Sequence, residues 1–291
     1  MGPARHPALP PVRVLVATCA GDRVDPDSPP LLDALAAEGL EARLAVWDDP
    51  TEEWGDALVV IRSTWDYTAR PEAFLAWARA VPRLLNPYPV VAYSSDKRYL
   101  IDLARRGVPV VESRVVEVGD APALPEGDLV VKPVVGAGSM DAARYRADER
   151  DAARAHVARL HCAGRAALVQ PYVGSVDAEG EIAVVVIDGE VSHLMRKGAM
   201  LNTDELDRTM LYRFEQMSLA ARDPGLERLA RSVLDEVADL AEEPLLYARV
   251  DLVRTEVGWA VLELELVEPS LFLGFYPPAA GRLAAAVRAR L

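Results

Sequence analysis

The stretch Asp128-Leu129-Val130-Val131-Lys132-Pro133-Val134-Val135-Gly136-Ala137-Gly138-Ser139 decides how this chain reads. An apolar strand delivers a lysine, and a loop of small residues with two glycines follows. Glycine lets backbone N–H groups come close to an anion, and such a nest beside an ammonium suits a polyphosphate. The spacing is not that of the common nucleotide motifs. There is no G-x-x-x-x-G-K-[ST] and no G-x-S-x-G, and Gly136-Ala137-Gly138 lacks the third glycine and the downstream acid of a dinucleotide fold. No His/Cys cluster has zinc spacing. The loop gains weight from carboxylates further on, at Asp251, Glu263 and Glu265, which can supply the Mg²⁺ that a nucleotide needs.

Upstream of the loop, apolar runs at 12–18, 42–47 and 57–61 read as strands, and 31–38 and 71–80 as helices. Gly39 ends the first helix and Pro71 starts the second. Strand alternating with helix suggests a parallel sheet with crossovers. A helix is expected over 97–106, with Asp96 as its cap and Gly107 past its end. Lys97 in its first turn would oppose the helix dipole by a few tenths of a kcal/mol, a local conflict that hints at a phosphate.

Residues 109–172 read as a smaller unit: strands at 109–117 and 128–132, the glycine loop, a helix near 149–161 and a strand at 167–172. From 181 onward the pattern changes to hairpins. Strands at 181–187 and 190–196 flank Asp188-Gly189, which suits a type I′ turn. Residues 198–216 are a loop or short helix, 226–240 an amphipathic helix, 245–253 and 259–267 a second hairpin, and 279–291 a closing helix. The fold class is α/β, passing to α+β in the C-terminal part.

The second hairpin carries the acids. Strict alternation puts Glu263 and Glu265 on one face with Trp259, Val261 and Val267, and Ala260, Leu262, Leu264 and Leu266 on the core face. With a five-residue loop over 254–258, Asp251 faces Val261 and lies diagonal to Glu263. Three carboxylates on one patch repel unless a cation joins them; the plain alternative is a solvated acidic face. In the first hairpin a two-residue turn pairs Glu181 with Arg196. Arg196 and Lys197 then face the transferring phosphate with Glu181 fixing Arg196; the plain alternative is a surface pair. Gln170, Pro171, Tyr172 and Val173 end a strand between two units, where an extended backbone suits an adenine edge or simply links domains. Arg62, Ser63, Thr64, Trp65 and Asp66 follow a strand, where functional residues of α/β sheets gather. Arg62 can clamp a substrate carboxylate; the alternative is a loop that caps the next helix.

Bulk composition bounds the partners. A net charge of −13 excludes nucleic-acid binding through a basic face and attraction to an anionic membrane. No apolar run approaches the ~18 residues of a membrane span. Residues 1–11 lack the apolar core of a secretory signal and read as a disordered arm. Cys19 and Cys162 lack metal spacing and read as buried thiols of a cytoplasmic protein.

Taken together, Asp96-Lys97, Val131-Lys132-Pro133 with Gly136 and Gly138, and Asp251 followed by Glu263 and Glu265 resemble the ATP-grasp superfamily, in its glutathione-synthetase-like branch. The order and spacing fit from about 90 to 275. More narrowly, 62–67, 96–103, 170–173, Arg196-Lys197 and Glu263-Leu264-Glu265 with Glu268-Pro269-Ser270-Leu271 are similar to the O-ureidoserine cyclo-ligase, cycloserine-forming type. The resemblance implies an N-terminal parallel-sheet domain (1–94), a small central lid (95–171) and a C-terminal antiparallel-sheet domain (172–291). It implies ATP between the last two. Lys97 and Lys132 would meet the phosphates with Gly136, Gly138 and Ser139, and Gln170, Pro171, Tyr172 and Val173 the adenine. Glu181 joins the nucleotide set, Asp251, Glu263 and Glu265 hold Mg²⁺ or Mn²⁺, and Ser270 joins Arg62, Ser63, Thr64, Trp65 and Asp66 at the substrate. Two departures stand out: Glu263-x-Glu265 replaces the usual Glu-x-Asn, and 198–213 lacks the expected glycine-rich segment.

The function expected is an ATP- and Mg²⁺-dependent carboxylate–amine ligase working through an acyl phosphate, on a small amino-acid-like substrate, with ring closure as one form. Arg196 and Lys197 are the expected catalytic cations. The competing readings are a phosphotransferase acting on a hydroxyl and a nucleotide-binding module without catalysis. Small-molecule partners are expected, and a monomer or homodimer.

Overall fold

The computed structural model describes residues 13–21, 25–199 and 217–291. The readings of 1–11 and of most of 198–216 lie outside the described residues.

The N-terminal part runs β1 (Arg13–Thr18), α1 (Ser28–Ala37), β2 (Glu41–Val46), β3 (Leu58–Ser63), α2 (Pro71–Ala80) and β4 (Leu84–Leu85). The strands form one parallel sheet in the order β2-β1-β3-β4. Its central strands β1 and β3 are covered on both faces, hence their near-continuous apolar sequence. α1 starts three residues earlier than expected because Pro29 and Pro30 sit in its first turn, where a missing N–H costs little. β3 runs on through Arg62 and Ser63, so these two are strand residues and not loop residues.

α3 (Tyr88–Ser94) has no counterpart in the sequence reading; seven residues are too few to show a helical period. α4 (Tyr99–Arg105) begins two residues later than expected. The Asp96 carboxylate accepts the Arg98 N–H at 2.8 Å, and the Lys97 N–H is spent on the Val134 carbonyl at 3.0 Å. Lys97 therefore lies before the helix, and the dipole conflict does not arise.

The next sheet has β5 (Arg114–Val116), β6 (Leu129–Pro133), β7 (Ala143–Tyr145) and β8 (Ala167–Pro171), antiparallel in the order β5-β8-β6-β7. α5 (Arg150–Cys162) covers one face through Ala153, Val157 and Leu160. A short α6 (Val176–Glu179) leads to the third sheet: β9 (Glu181–Ile187), β10 (Glu190–Lys197), β11 (Met217–Ala220), β12 (Tyr247–Thr255) and β13 (Gly258–Glu265), with α7 (Pro224–Asp235) before β12 and α8 (Pro278–Ala289) at the end. Its order is β11-β10-β9-β12-β13, antiparallel throughout. One face of β9, with Ala183, Val185 and Ile187, packs into the core that holds α1 and α8; the other, with Ile182, Val184 and Val186, packs with α4 and α7.

Both hairpins depart from the expected register, and a bulge takes part in each. Asp188 and Gly189 form the expected turn, both with positive φ (52° and 74°), and Ile187 pairs with Glu190. A bulge between Val191 and His193 then shifts the pairing by one residue, so Glu181 meets Lys197, and Arg196 meets Ile182. A one-residue slip exchanges the faces of a strand. In the second hairpin Thr255 pairs with Gly258, so the turn has two residues and not five. That shift would misplace Asp251, but a second bulge, at Leu262, restores it: Leu252 faces Val261, and Asp251 lies directly opposite Glu263. The same bulge turns Val261 into the core and leaves Leu262 facing the cleft, against the expected alternation.

Candidate active site

One cleft gathers residues from the second and third sheets and from the segment that follows β3. It is lined by Trp65, Lys97, Lys132, Gly136, Gly138, Ser139, Gln170, Pro171, Tyr172, Val173, Glu181, Lys197, Asp251, Glu263, Glu265 and Ser270 from the expected set. Arg249, Met217 and Phe272 also line it and were not singled out; Tyr67, Tyr99 and Glu268 line it too, and stood in the sequence reading only within quoted stretches, without a role. Arg249 had a readable signal, since it stands two residues before Asp251 on the same strand face. Glu268 and the aromatics arrive by tertiary folding.

The geometry is a chain of ion pairs. Lys132 Nζ is 2.6 Å from Glu263 Oε1. Lys197 Nζ is 2.7 Å from both Glu181 Oε2 and Asp251 Oδ2. Arg249 donates from Nε and Nη2 to the two oxygens of Asp251, each at 2.8 Å, and from Nη2 to Glu265. Lys97 Nζ donates to the Gly136 carbonyl at 2.7 Å, joining the segment before α4 to the glycine loop. That loop turns through Gly138 and Ser139, with φ of 58° and 59°. The Tyr99 hydroxyl accepts the Leu264 N–H at 2.9 Å and buttresses β13 from behind. Gln170 is buried and donates to Ser113 Oγ at 2.9 Å, so this end of β8 is held by its side chain.

Charge and burial compete at each carboxylate. Burial disfavours ionisation of Asp251, but Arg249 and Lys197 outweigh it and hold its pKa below the ordinary value. Burial also opposes Glu263, and Lys132 and then Lys97 hold it well below the usual range. For Glu265, burial together with the charges of Asp251 and Glu263 outweighs Arg249 and pushes it up to about 7. Burial and the charge of Glu265 push Glu268 up to about 8.

Four expected substrate residues lie elsewhere. Arg62 is fully buried beneath the cleft, 3.3 Å from Asp27 and 3.8 Å from Asp25, and donates to the Pro269 carbonyl at 2.6 Å. It fastens a loop and does not line the cleft, where a carboxylate clamp was expected. Ser63 Oγ donates to Thr18 Oγ1 at 2.7 Å, and Thr64 is buried. Asp66 accepts from Trp47 Nε1 at 2.8 Å and Arg70 at 2.6 Å. The cause is β3, which continues two residues further than its apolar run. Arg196 is likewise absent from the cleft wall: it is exposed and donates to the Glu179 carbonyl. The bulge in β10 turns Lys197 inward in its place. Asp251 does join Glu263 and Glu265, but the cations between the three carboxylates are Lys132, Lys197 and Arg249. Of the two thiols, Cys19 is buried as expected, whereas Cys162 is exposed; they form no disulfide.

A sequence-family model described as the N-terminal domain of D-cycloserine synthetase DcsG matches residues 14–86. The cycloserine biosynthesis protein DcsG of Streptomyces lavendulae is 41% identical over 298 residues, covering 96% of this chain and 99% of that protein. The chain belongs to the DcsG family. Similarity extends to three dimensions. A crystal structure of D-cycloserine synthetase DcsG matches with a TM-score of 0.85 and 38% identity, covering 96% of this chain and 99% of that one. A RimK-domain ATP-grasp protein from Sphaerobacter thermophilus matches with a TM-score of 0.65 over 94% of this chain and 99% of that one; at 21% identity it shows the ATP-grasp fold alone. This DcsG-family member is an ATP-dependent, amide-forming ligase acting on a small substrate. Among its described residues no helix is long and apolar enough to cross a membrane.

Proposed function

We propose that the cleft closes an O-ureidoserine-like amino acid into a ring. The single observation that carries this is the convergence of Lys97, Lys132, the glycine loop, Lys197, Arg249 and the β12–β13 carboxylates in one cleft, in a chain of the DcsG family. ATP lies with its adenine along Gln170, Pro171, Tyr172 and Val173. Its phosphates lie against Lys97, Lys132, Gly136, Gly138 and Ser139, with Glu181 beside the nucleotide. The units are 1–94, 95–171 and 172–291, with the nucleotide between the last two.

The substrate carboxylate attacks the γ-phosphorus and ADP leaves. A nitrogen of the same molecule then attacks the acyl carbon, phosphate leaves, the nitrogen gives up a proton to solvent, and the ring amide remains. No protein nucleophile is required. Lys132, Lys197 and Arg249 hold negative charge on the moving phosphoryl and acyl oxygens, in positions fixed beforehand by their carboxylate partners. Lys197 thus carries the catalytic role expected of the hairpin; Arg249 stands where a guanidinium was sought.

The donor set fits Mg²⁺, or Mn²⁺ in its place. Among the described residues, Glu181, Asp251, Glu263, Glu265 and Glu268 line the cleft, five acids against the four cations Lys97, Lys132, Lys197 and Arg249. A nucleotide adds more negative charge, so a divalent cation must accompany it. No three His, Cys, Asp or Glu side chains among the described residues are already grouped as a metal cage. Glu263 and Glu265, with Asp251 beside them, are the oxygens that would hold the ion, and the nucleotide would complete its shell. When bound, it neutralises phosphate charge and polarises the γ-phosphoryl group.

The partners are small molecules, and nothing in a chain of net charge −13 favours nucleic acid or an anionic membrane. Two unbridged thiols suit the reducing cytoplasm. A monomer or a homodimer accommodates the cleft, since it lies within one chain. The test is ADP release with a panel of α-amino carboxylates, with and without hydroxylamine. O-ureidoserine should release ADP and give a cyclic product, and hydroxylamine should trap an acyl hydroxamate. A phosphorylated product stable to hydroxylamine would overturn the ligase step.

A further inference from the structure

Of the acids lining the cleft, four are ion-paired. Glu263 is held by Lys132, Glu181 by Lys197, Asp251 by Lys197 and Arg249, and Glu265 by Arg249. Glu268 forms no ion pair among the described residues. The buried Tyr67 lines the cleft with it. Lys97 and Arg62 attract it only from a distance: Lys97 is engaged with Gly136, and Arg62 is buried against Asp27 and Pro269.

The position of Glu268 is built, not accidental. The segment that carries it is fastened at three points. Arg62 donates to the Pro269 carbonyl at 2.6 Å. The Asp27 carboxylate accepts the N–H groups of Leu271, Phe272 and Leu273 at 2.6, 3.1 and 2.7 Å. Arg249 Nη1 donates to the Ser270 carbonyl at 3.3 Å, and its guanidinium lies over the Phe272 ring at 5.5 Å. Arg249 is also the side chain that holds Glu265 and Asp251, so the segment is anchored to the phosphoryl end of the cleft.

A carboxylate half-buried in a cleft without a cation of its own costs free energy unless the ligand brings one. The ligand proposed above has one: its α-ammonium group, two bonds from the carbon of the carboxylate that is to be phosphorylated on oxygen. That carbon must lie at the nucleotide end, beside Arg249, and the ammonium must lie close by. The walls there include Trp65, Tyr67 and Phe272. Aromatic faces and a single carboxylate suit an ammonium; Mg²⁺ asks for several oxygens.

We propose that Glu268 is a specificity-determining residue that accepts a hydrogen bond from the α-ammonium group of the amino-acid substrate. This assignment rests on the reading of the cleft as an amino-acid ligase. It makes an α-amino group a condition of turnover, and it separates Glu268 from the metal-binding acids.

The test is steady-state ADP release by the full chain with O-ureidoserine and with 3-(ureidooxy)propanoate, the same molecule without its amino group. Wild type should prefer the amino compound strongly. Glu268→Gln should raise KM for O-ureidoserine about 10²-fold, as when one partner of a buried charge pair is removed. It should erase the preference between the two compounds and leave KM for ATP and half-saturation by Mg²⁺ within about two-fold. Glu268→Asp, which keeps the charge, should recover part of the preference, and a thermal melt of each variant reports its folding. Unchanged KM and preference in Glu268→Gln would overturn the assignment, and so would a shifted Mg²⁺ requirement with the preference intact. If wild type releases no ADP with any α-amino carboxylate, the ligase reading itself fails and takes the assignment with it; a wild type that turns over normally confines the failure to Glu268.

Discussion

Lys197 stands directly opposite Glu181, with its ammonium 2.7 Å from Glu181 and 2.7 Å from Asp251. Its neighbour Arg196 points outward to the Glu179 carbonyl. The bulge in β10 thus decides which of two adjacent cations serves the cleft. Lys197→Ala should lower kcat for ADP release by about 10²-fold or more, as for other preorganised donors at a developing charge. Arg196→Ala should stay within about two-fold of wild type. The reverse order of effects would mean that the bulge is absent in the working enzyme.

Lys132 and Glu263 form an ion pair, 2.6 Å apart. Mutual repulsion of the acids alone would make Glu263→Gln neutral or stabilising. Because Lys132 holds Glu263 well below the ordinary carboxylate pKa, the sign reverses. Glu263→Gln should cost about 1–2 kcal/mol, less than a fully buried pair because 23% of the Glu263 side chain is exposed. Urea melts without nucleotide measure this. A stabilised variant would show that the pair contributes nothing. Lys132→Ala should weaken ATP binding in calorimetry.

Arg62 is a structural residue. It sits fully buried between Asp25, Asp27 and the Pro269 carbonyl. Arg62→Met leaves two buried acids uncompensated, and breaking such a pair costs about 3–5 kcal/mol. The thermal midpoint should fall steeply. A carboxylate clamp predicts the opposite pattern, a raised substrate KM with an unchanged midpoint, and that result would restore it.

Two imidazoles are buried neutral. Burial pushes His156 and His193 down to about 4. In the unfolded chain they take up protons near the ordinary value of about 6.5. The unfolded state therefore binds more protons between these values. The stabilisation is complete above about pH 6.5 and is lost as pH falls toward 4, by about 3 kcal/mol for each histidine at the lower limit. His156→Gln should flatten part of that slope in urea unfolding between pH 7 and 4.5. An identical slope in the variant would mean that His156 titrates normally in the folded protein.

Local patterns in the chain determined a good deal of this. Pro71 to Ala80 is a helix with the bounds its sequence announces, because proline at its start and an apolar stripe through Phe74 leave little choice. The Asp188-Gly189 turn is equally local, since positive φ at both residues selects it. The run from Val130 through Lys132 to Gly138 placed the lysine and the glycine loop in the cleft by the same logic. What only the tertiary structure decided was parity. A bulge is stabilised by the packing of a whole sheet, not by the residues that flank it, and one extra residue exchanges inside for outside. That exchange put Lys197 inward and Arg196 outward, and two such shifts together returned Asp251 to Glu263. Arg62 went unread for a related reason: a charged residue after an apolar run looks like a surface loop until Asp25 and Asp27 fold over it. Glu268 faces the cleft because contacts from residues more than 200 positions away, Arg62 on Pro269 and Asp27 on Leu271, hold its loop there, and no window of local sequence contains them.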